Sequence, residues 1–327
     1  MLKYWIIFTA ALTASVVFTS LLTKIFLKYN VFKTKNIPLA GGLGIGLAFI
    51  FSLVLSFFMF DLFASRVLIV AEVCLIILFL GLLDDLRELT VVQKLLGQSV
   101  CAILLISSGV RTEIVYLGTW GNILVTFFGI LGLTNAFNLL DIMDGLAAGI
   151  ALIVSGAFLV IGFLSADLNV QVLSLILCAA SAGFLIFNLP PARAYLGNSG
   201  SHFLGMLIAC IVLITHYASM DNAFALFSPL MILGLPIIDT VLLVIFRVIK
   251  RKPPFKKSKD HLALRIGALG ASPFKTILIM YLLCAIFASC GVVLTKVNNF
   301  FAVIIVYSVF ILGTTIFLKL IKVEVDD

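Results

Sequence analysis

Apolar runs of about twenty residues recur along the whole of this chain, separated by short polar connections. A hydrocarbon layer roughly 30 Å thick is crossed by about 20 residues of helix, and a helix satisfies its backbone groups internally where no water can. Composition agrees with that reading: 63% of the residues are hydrophobic and 11% charged, against about 25% charged in soluble domains. The fold class is therefore all-α, a polytopic integral membrane protein. About eleven transmembrane helices are expected, near 4–26, 41–60, 66–83, 93–109, 122–139, 145–165, 170–187, 202–217, 223–246, 274–294 and 299–319. The first run is long enough to span and has no convincing cleavage site, so it reads as a helix and not as a signal peptide.

Orientation follows from the cations in alternate connections. Eighteen of the 22 Lys and Arg residues, among them Lys33, Lys35, Lys94, Arg193, Arg247 and Arg265, fall in one set of gaps. Lys3, Arg66, Arg111 and Lys296 make up the other. This asymmetry places the N-terminus outside and the C-terminus in the cytoplasm. The net charge of +7 belongs to the ends of membrane segments, so no nucleic-acid partner is expected. The six cysteines all lie inside apolar runs without ligand spacing and read as small buried side chains. A single domain, 1–327, is expected, with cytoplasmic loops near 28–46, 84–94, 138–145, 188–202 and 247–272.

Acids accumulate where the positive-inside rule does not ask for them. Asp84 and Asp85 close the third apolar run, at a helix end whose dipole is already negative. Nine residues beyond Asp85, Lys94 opens the next helix. Adjacent carboxylates can hold Mg²⁺, or one can act as base beside its neighbour, and Lys94 can meet a phosphate as a mobile point charge. The run Asn138-Leu-Leu-Asp141-Ile-Met-Asp144-Gly145 places two acids and an amide at the edge of the apolar layer, at roughly 2.5–3.5 kcal/mol per charge. On a helix Asp141 and Asp144 would share a face; the alternative for Asp144 is a helix cap.

Other loops carry weaker signals. The glycines Gly41, Gly42, Gly44 and Gly46 serve either close helix packing or a phosphate-facing backbone. After Asn188, two prolines stop a helix, and Tyr195-Leu-Gly197-Asn198-Ser-Gly-Ser201 precedes a new helix N-terminus, which favours an anion. His202 and His216 read as packed or interfacial. Asp239 stands inside the ninth run, as a functional acid or as the partner of a lysine. In the basic stretch that follows, His261 and Arg265 are four apart and can share a helix face over a diphosphate, although the stretch also reads as a lipid-attracting loop. Acids, lysines, glycine turns and a histidine together suit Mg²⁺-dependent chemistry on a diphosphate at a membrane surface.

In order and spacing these loops resemble the polyprenyl-phosphate N-acetylhexosamine-1-phosphate transferase family, which starts O-antigen, teichoic-acid and peptidoglycan lipid intermediates. The resemblance covers most of the chain. It rests on Gly81-Leu-Leu-Asp84-Asp85 with Lys94-Leu-Leu-Gly-Gln98, on Thr134-Asn135-Ala-Phe-Asn138-Leu-Leu-Asp141-Ile-Met-Asp144-Gly145, on Asn188 through Gly205, and on Pro236-Ile-Ile-Asp239-Thr240 through Asp260-His261.

The resemblance implies an enzyme of the bacterial inner membrane with a cytoplasmic site. It would transfer a sugar-1-phosphate from a UDP-N-acetylhexosamine to undecaprenyl phosphate, releasing UMP. It implies catalytic roles for Asp84, Asp85 and Asp141, and Mg²⁺ (or Mn²⁺) held by Asp144 and Asn198. Substrate contacts would come from Lys94, Asn138, Asn188, Tyr195, Asp239, His261 and Arg265. Partners would be the polyprenyl lipid, the nucleotide sugar and membrane lipids, and a homodimer is compatible with it. Asn198 stands where most members have Asp, Ala40 where an arginine often precedes the first Gly-Gly, and the histidine cluster is reduced to His261 and Arg265. That reduction points away from the muramyl-pentapeptide substrate. From other classes, an anionic-lipid flippase would show inverted repeats, which are not seen, and a silent homologue would bind prenyl phosphate without turnover.

Overall fold

The computed structural model describes residues 1–60, 65–217, 223–249, 260–321 and 323. The chain forms two compact units, Met1–Thr215 and His216–Asp327. The basic residues Lys250, Arg251, Lys252, Lys256, Lys257, Lys259 and Lys322, which entered the orientation argument, lie outside the described residues.

The first unit opens with α1 (Leu2–Tyr29), closed by Asn30 in the left-handed region at φ 57°, with Val31 N–H returning to Phe26 O. A two-residue hairpin follows, the one departure from an all-helical chain among the described residues. In it β1 (Lys33–Thr34) pairs antiparallel with β2 (Ile37–Pro38). Lys35 and Asn36 both have positive φ (50° and 65°), as a two-residue turn that matches strand twist requires. Then come α2 (Gly41–Phe60), α3 (Ser65–Leu86), α4 (Val91–Ser107), α5 (Gly118–Leu140), α6 (Leu146–Leu164), α7 (Leu168–Asn188) and α8 (Gly197–Ile214). Here α8 is the hub, packed on α2, α3, α5 and α6, while α1 packs on α2 and α7, and α6 on α7.

The second unit holds α9 (Ser228–Ile232), α10 (Gly234–Ile249), α11 (Leu262–Ala268), α12 (Pro273–Leu294) and α13 (Asn299–Leu320). Its centre is α12, in contact with α9, α10, α11 and α13.

Among the described residues nine helices are long and apolar enough to cross a membrane. Two expected spans come out differently. The run expected at 223–246 is broken, its halves bent by 71° around Leu233, beside Gly234 and three residues before Pro236, which has no N–H to donate. The run expected at 93–109 is α4, whose 17 residues rise only about 26 Å. A capping box starts it early: Thr90 Oγ1 accepts from Gln93 N, and the Gln93 side chain accepts from Thr90 N.

The glycine run in α2 serves packing. A Cβ on Gly41 would meet the Phe184 ring at 2.3 Å, one on Gly44 Thr19 Oγ1 at 2.3 Å, and one on Gly46 Leu78 at 2.5 Å. A phosphate-facing backbone is not how Gly41 and Gly42 are used, since their N–H groups donate to Tyr195 O and Leu196 O.

Candidate active site

Four helix ends of the first unit meet through their polar residues. At the end of α3 the two neighbouring acids turn to different partners. Asp84 is buried and accepts from Leu89 N at 2.8 Å through Oδ1, while its Oδ2 lies 2.6 Å from Lys94 Nζ. Asp85 instead reaches α8, accepting from Asn198 N at 2.7 Å and Ser199 N at 3.0 Å. It thereby caps that helix from another segment, satisfying two of the N–H groups left open in a first turn.

This explains a difference from the sequence reading, which starts the eighth run near residue 202. Gly197 adopts φ +76° and the helix begins there, so Asn198, Ser199 and Ser201 stand in its first turns and not before it. No side chain of its own segment caps it; Asp85 does.

The expectation that Asp141 and Asp144 share a helix face is corrected. Helix α5 ends at Leu140, and Asp141 to Gly145 form a turn. Asp144 does not cap α6 either, because Gly145 at φ 79° holds the cap position without a side-chain bond. Asp144 Oδ2 accepts from Ala192 N at 3.0 Å, tying this turn to the segment after α7. That segment is tied a second time by Asn188, whose Oδ1 accepts from Gly145 N and whose Nδ2 donates to Ala194 O, both at 2.9 Å. Buried Asn188 thus staples two loops. Tyr195, half-buried, donates its backbone N–H to Pro38 O at 2.8 Å.

Asn138 closes the ring. Its Nδ2 donates to Asn198 Oδ1 at 3.1 Å and to Ser201 Oγ at 2.9 Å. The site as read from sequence lacked Ser201. It also lacked the pair one turn back, where Asn135 Nδ2 donates to Gln98 Oε1 at 2.8 Å and ties α5 to α4. Their polarity inside an apolar run was the available signal.

Burial pushes the Asp141 carboxyl up to about 7, helped by repulsion from Asp85 and then from Asp144. The folded protein therefore keeps a proton that the unfolded chain releases above its ordinary 3.8. Stability falls as pH rises from that value to about 7. Asp141→Asn should flatten this part of the curve, melting higher than the parent at pH 8 with the gain vanishing near pH 4. Identical pH slopes in melting experiments would assign the effect elsewhere.

In the second unit, Asp239 Oδ1 accepts from Leu262 N at 2.7 Å and its Oδ2 meets His261 Nδ1 at 2.9 Å. His261 is the N-cap residue of α11, so Asp239 fixes the start of that helix. The picture of His261 and Arg265 sharing a face over a diphosphate is corrected. Both are buried, and the Arg265 guanidinium bonds Asp260 Oδ1 at 2.6 Å, Asp260 O at 3.3 Å and Leu320 O at 2.9 Å. It also lies 3.6 Å from the Phe246 ring centroid. A buried guanidinium needs such compensation, and here Arg265 holds its own unit together.

What the first unit presents is a bundle of membrane-crossing helices with acids and amides gathered at four of their ends: a multi-pass membrane protein with a polar site. Residues 67–216 match the glycosyl transferase family 4 model, and the chain belongs to that family. The probable undecaprenyl-phosphate N-acetylglucosaminyl 1-phosphate transferase of Bacillus subtilis (strain 168) is 32% identical over 282 residues, 84% of this chain and 77% of the relative. The decaprenyl-phosphate N-acetylglucosaminephosphotransferase of Mycobacterium tuberculosis (strain ATCC 25618 / H37Rv) is 30% identical over 241 residues, 65% of this chain and 60% of the relative. A phospho-N-acetylmuramoyl-pentapeptide-transferase from Halalkalibacterium halodurans is 32% identical over 252 residues, 70% of this chain and 75% of the relative.

Proposed function

We propose that the chain transfers an N-acetylhexosamine-1-phosphate, such as GlcNAc-1-phosphate, from a UDP-sugar to undecaprenyl phosphate at the cytoplasmic face of a bacterial plasma membrane. The observation that carries the reading is the linked set Asp84, Asp85, Lys94, Asn138, Asp141, Asp144 and Asn198 at four helix ends of one unit. The relatives' names state the same class of reaction. The 18-to-4 division of cations supports the orientation, and we treat both compact units as one transferase.

A phosphate oxygen of the polyprenyl phosphate attacks the β-phosphorus of the UDP-sugar. The bond from that phosphorus to the bridging oxygen breaks, UMP leaves, and a polyprenyl-diphosphate sugar remains. Lys94 pairs with Asp84 before substrate arrives and exchanges that carboxylate for a phosphate oxygen afterwards. Asp84 positions the attacking phosphate and takes its proton when it arrives protonated. Asp85 holds the first turn of α8, and with it Asn198 and Asn138, against the site. Asn188 fixes the loop that carries Tyr195, leaving Tyr195 to contact the uridine.

A divalent cation fits this donor set. Asp141 is raised by burial first and then by its carboxylate neighbours Asp85 and Asp144, a repulsion that a cation relieves, and the donors are hard oxygens of the type Mg²⁺ takes. Among the described residues no three His, Cys, Asp or Glu side chains form a ready cage, but Mg²⁺ is commonly held by one or two carboxylates together with substrate phosphates. Asp144 and Asn198 would hold it, and when bound it would offset charge developing on the diphosphate oxygens.

The test is purified protein with undecaprenyl phosphate and a panel of labelled UDP-sugars, following UMP and lipid-linked sugar together. UMP release with UDP-GlcNAc is expected, and no release with any UDP-hexosamine would refute the assignment. Asn198→Asp should lower the Mg²⁺ concentration that half-saturates turnover. A variant that needs more would remove Asn198 from the cation site.

A further inference from the structure

We propose that the cleft where the connection after α4 meets the start of α5 binds the headgroup of a zwitterionic phospholipid carrying a primary ammonium. The cleft has a volume of about 280 Å³ and is lined by Arg111, Thr112, Glu113, Val115, Thr119 and Asn122, among others. It sits at the opposite end of α5 from Asp141. The 23 residues of that helix rise about 34 Å, so the cleft and the acidic cluster belong to opposite membrane faces.

The wall of the cleft is built. Asn122 Oδ1 accepts from Ile114 N at 2.8 Å, and Asn122 Nδ2 donates to Ile114 O at 2.9 Å and Gly118 O at 2.7 Å. Thr112 N donates to Thr126 Oγ1 at 2.9 Å, and Thr112 Oγ1 donates to Asn122 O at 3.0 Å. The connection is thus pinned to α5 through its backbone and through Thr112, which leaves the charged neighbours of Thr112 uncommitted. Arg111 and Glu113 line the same cleft, yet among the described residues neither forms an ion pair, with each other or elsewhere.

Two opposite charges that line one cleft without pairing are what a zwitterion requires. The planar guanidinium of Arg111 suits a phosphodiester. The carboxylate of Glu113 beside it repels a purely anionic headgroup and accepts from an ammonium. The surroundings place the cleft at headgroup depth: Tyr116 and Trp120 are 88% and 79% exposed, aromatic residues of the kind that gather at membrane interfaces. From Trp120 a ridge continues through Leu124 and Phe128, all exposed, at four-residue spacing, along which the acyl chains would lie.

Native mass spectrometry of the full chain, exchanged into mild detergent with phosphatidylethanolamine or phosphatidylglycerol, tests this. The parent should retain the ethanolamine lipid roughly tenfold better, the size of one charge-assisted hydrogen bond. Glu113→Gln should erase that preference and Arg111→Gln should weaken retention of both lipids. Soluble glycerophosphoethanolamine should displace the bound lipid where inorganic phosphate does not. Equal retention of the two lipids by the parent, a preference that survives both substitutions, or equal displacement by inorganic phosphate would each overturn the proposal. The comparison of lipids on the parent stands without the variants, and melting curves of the variants separate a lost site from a lost fold.

Discussion

Asp84→Asn is expected to lower turnover by about 10²–10⁴-fold, the usual range for removing a positioned acid–base group, while the protein still folds. The side chain is isosteric, and its remaining oxygen can still accept from Leu89 N, as Asp84 Oδ1 does at 2.8 Å. What is lost is the charge 2.6 Å from Lys94 Nζ. The amide can offer its oxygen to Leu89 N or to Lys94, but not both in the present geometry. Lys94 is then freed, and a phosphate arriving at the site meets a cation already released but no carboxylate to position it. Lys94→Met is the informative partner. It leaves Asp84 as a buried charge without its cation, a change that costs about 3–5 kcal/mol for a fully buried pair and less here, because Lys94 is partly solvated. Asp84→Asn should therefore lose activity at near-parental melting temperature, and Lys94→Met should lose both. Turnover that survives Asp84→Asn would remove Asp84 from the chemistry, and so would a melting point that falls as far as that of Lys94→Met.

The contrast between these neighbours shows what the sequence makes legible. Helical class and most of the helices follow from apolar runs, because a hydrocarbon layer allows few other solutions. The acids at residues 84, 85, 141 and 144 are conspicuous for the same reason: charges at that depth need a cause. Their partners are a different matter. Asp84 and Asp85 are adjacent in the chain, yet one turns to α4 and the other to a helix 113 residues further on, and nothing local encodes that choice. The break at Leu233 was signalled by Gly234 and Pro236 but masked by the continuous hydropathy around it. His261 and Arg265 have the spacing of a shared face, yet the burial of Arg265 is set by carbonyls of Leu320 and Val323, which come from another helix end.

Gly81→Ala should damage fold and activity together, although it adds one methyl group to a helix interior where Ala is favoured over Gly by about 0.8–1 kcal/mol. A Cβ at Gly81 would lie 2.5 Å from Ser199 Cα and 2.7 Å from Asn198 O. Those atoms are backbone in the first turn of α8, so no flexible side chain can swing away. Four residues on, and hence on the same face of α3, Asp85 holds the N–H groups of the same two residues. Gly81 sets how near α8 comes, and Asp85 closes hydrogen bonds that exist only at that approach. From the other side Gly42 does the same, its Cβ position lying 2.2 Å from Gly200 N. Moving α8 away to admit a methyl would lengthen both Asp85 contacts and carry Asn198 away from Asn138. Overpacking of this kind costs about 1–3 kcal/mol, with charged hydrogen bonds worth about 1.5–3 kcal/mol each weakened in addition. Gly132→Ala on α5 is the control, since a Cβ there meets nothing within 4 Å and propensity alone should act. Melting curves and UMP release should separate the two, with Gly132→Ala at or above the parent and Gly81→Ala below it in both. If Gly81→Ala melts with the parent and keeps its turnover, α8 is not held at this distance for the sake of the site.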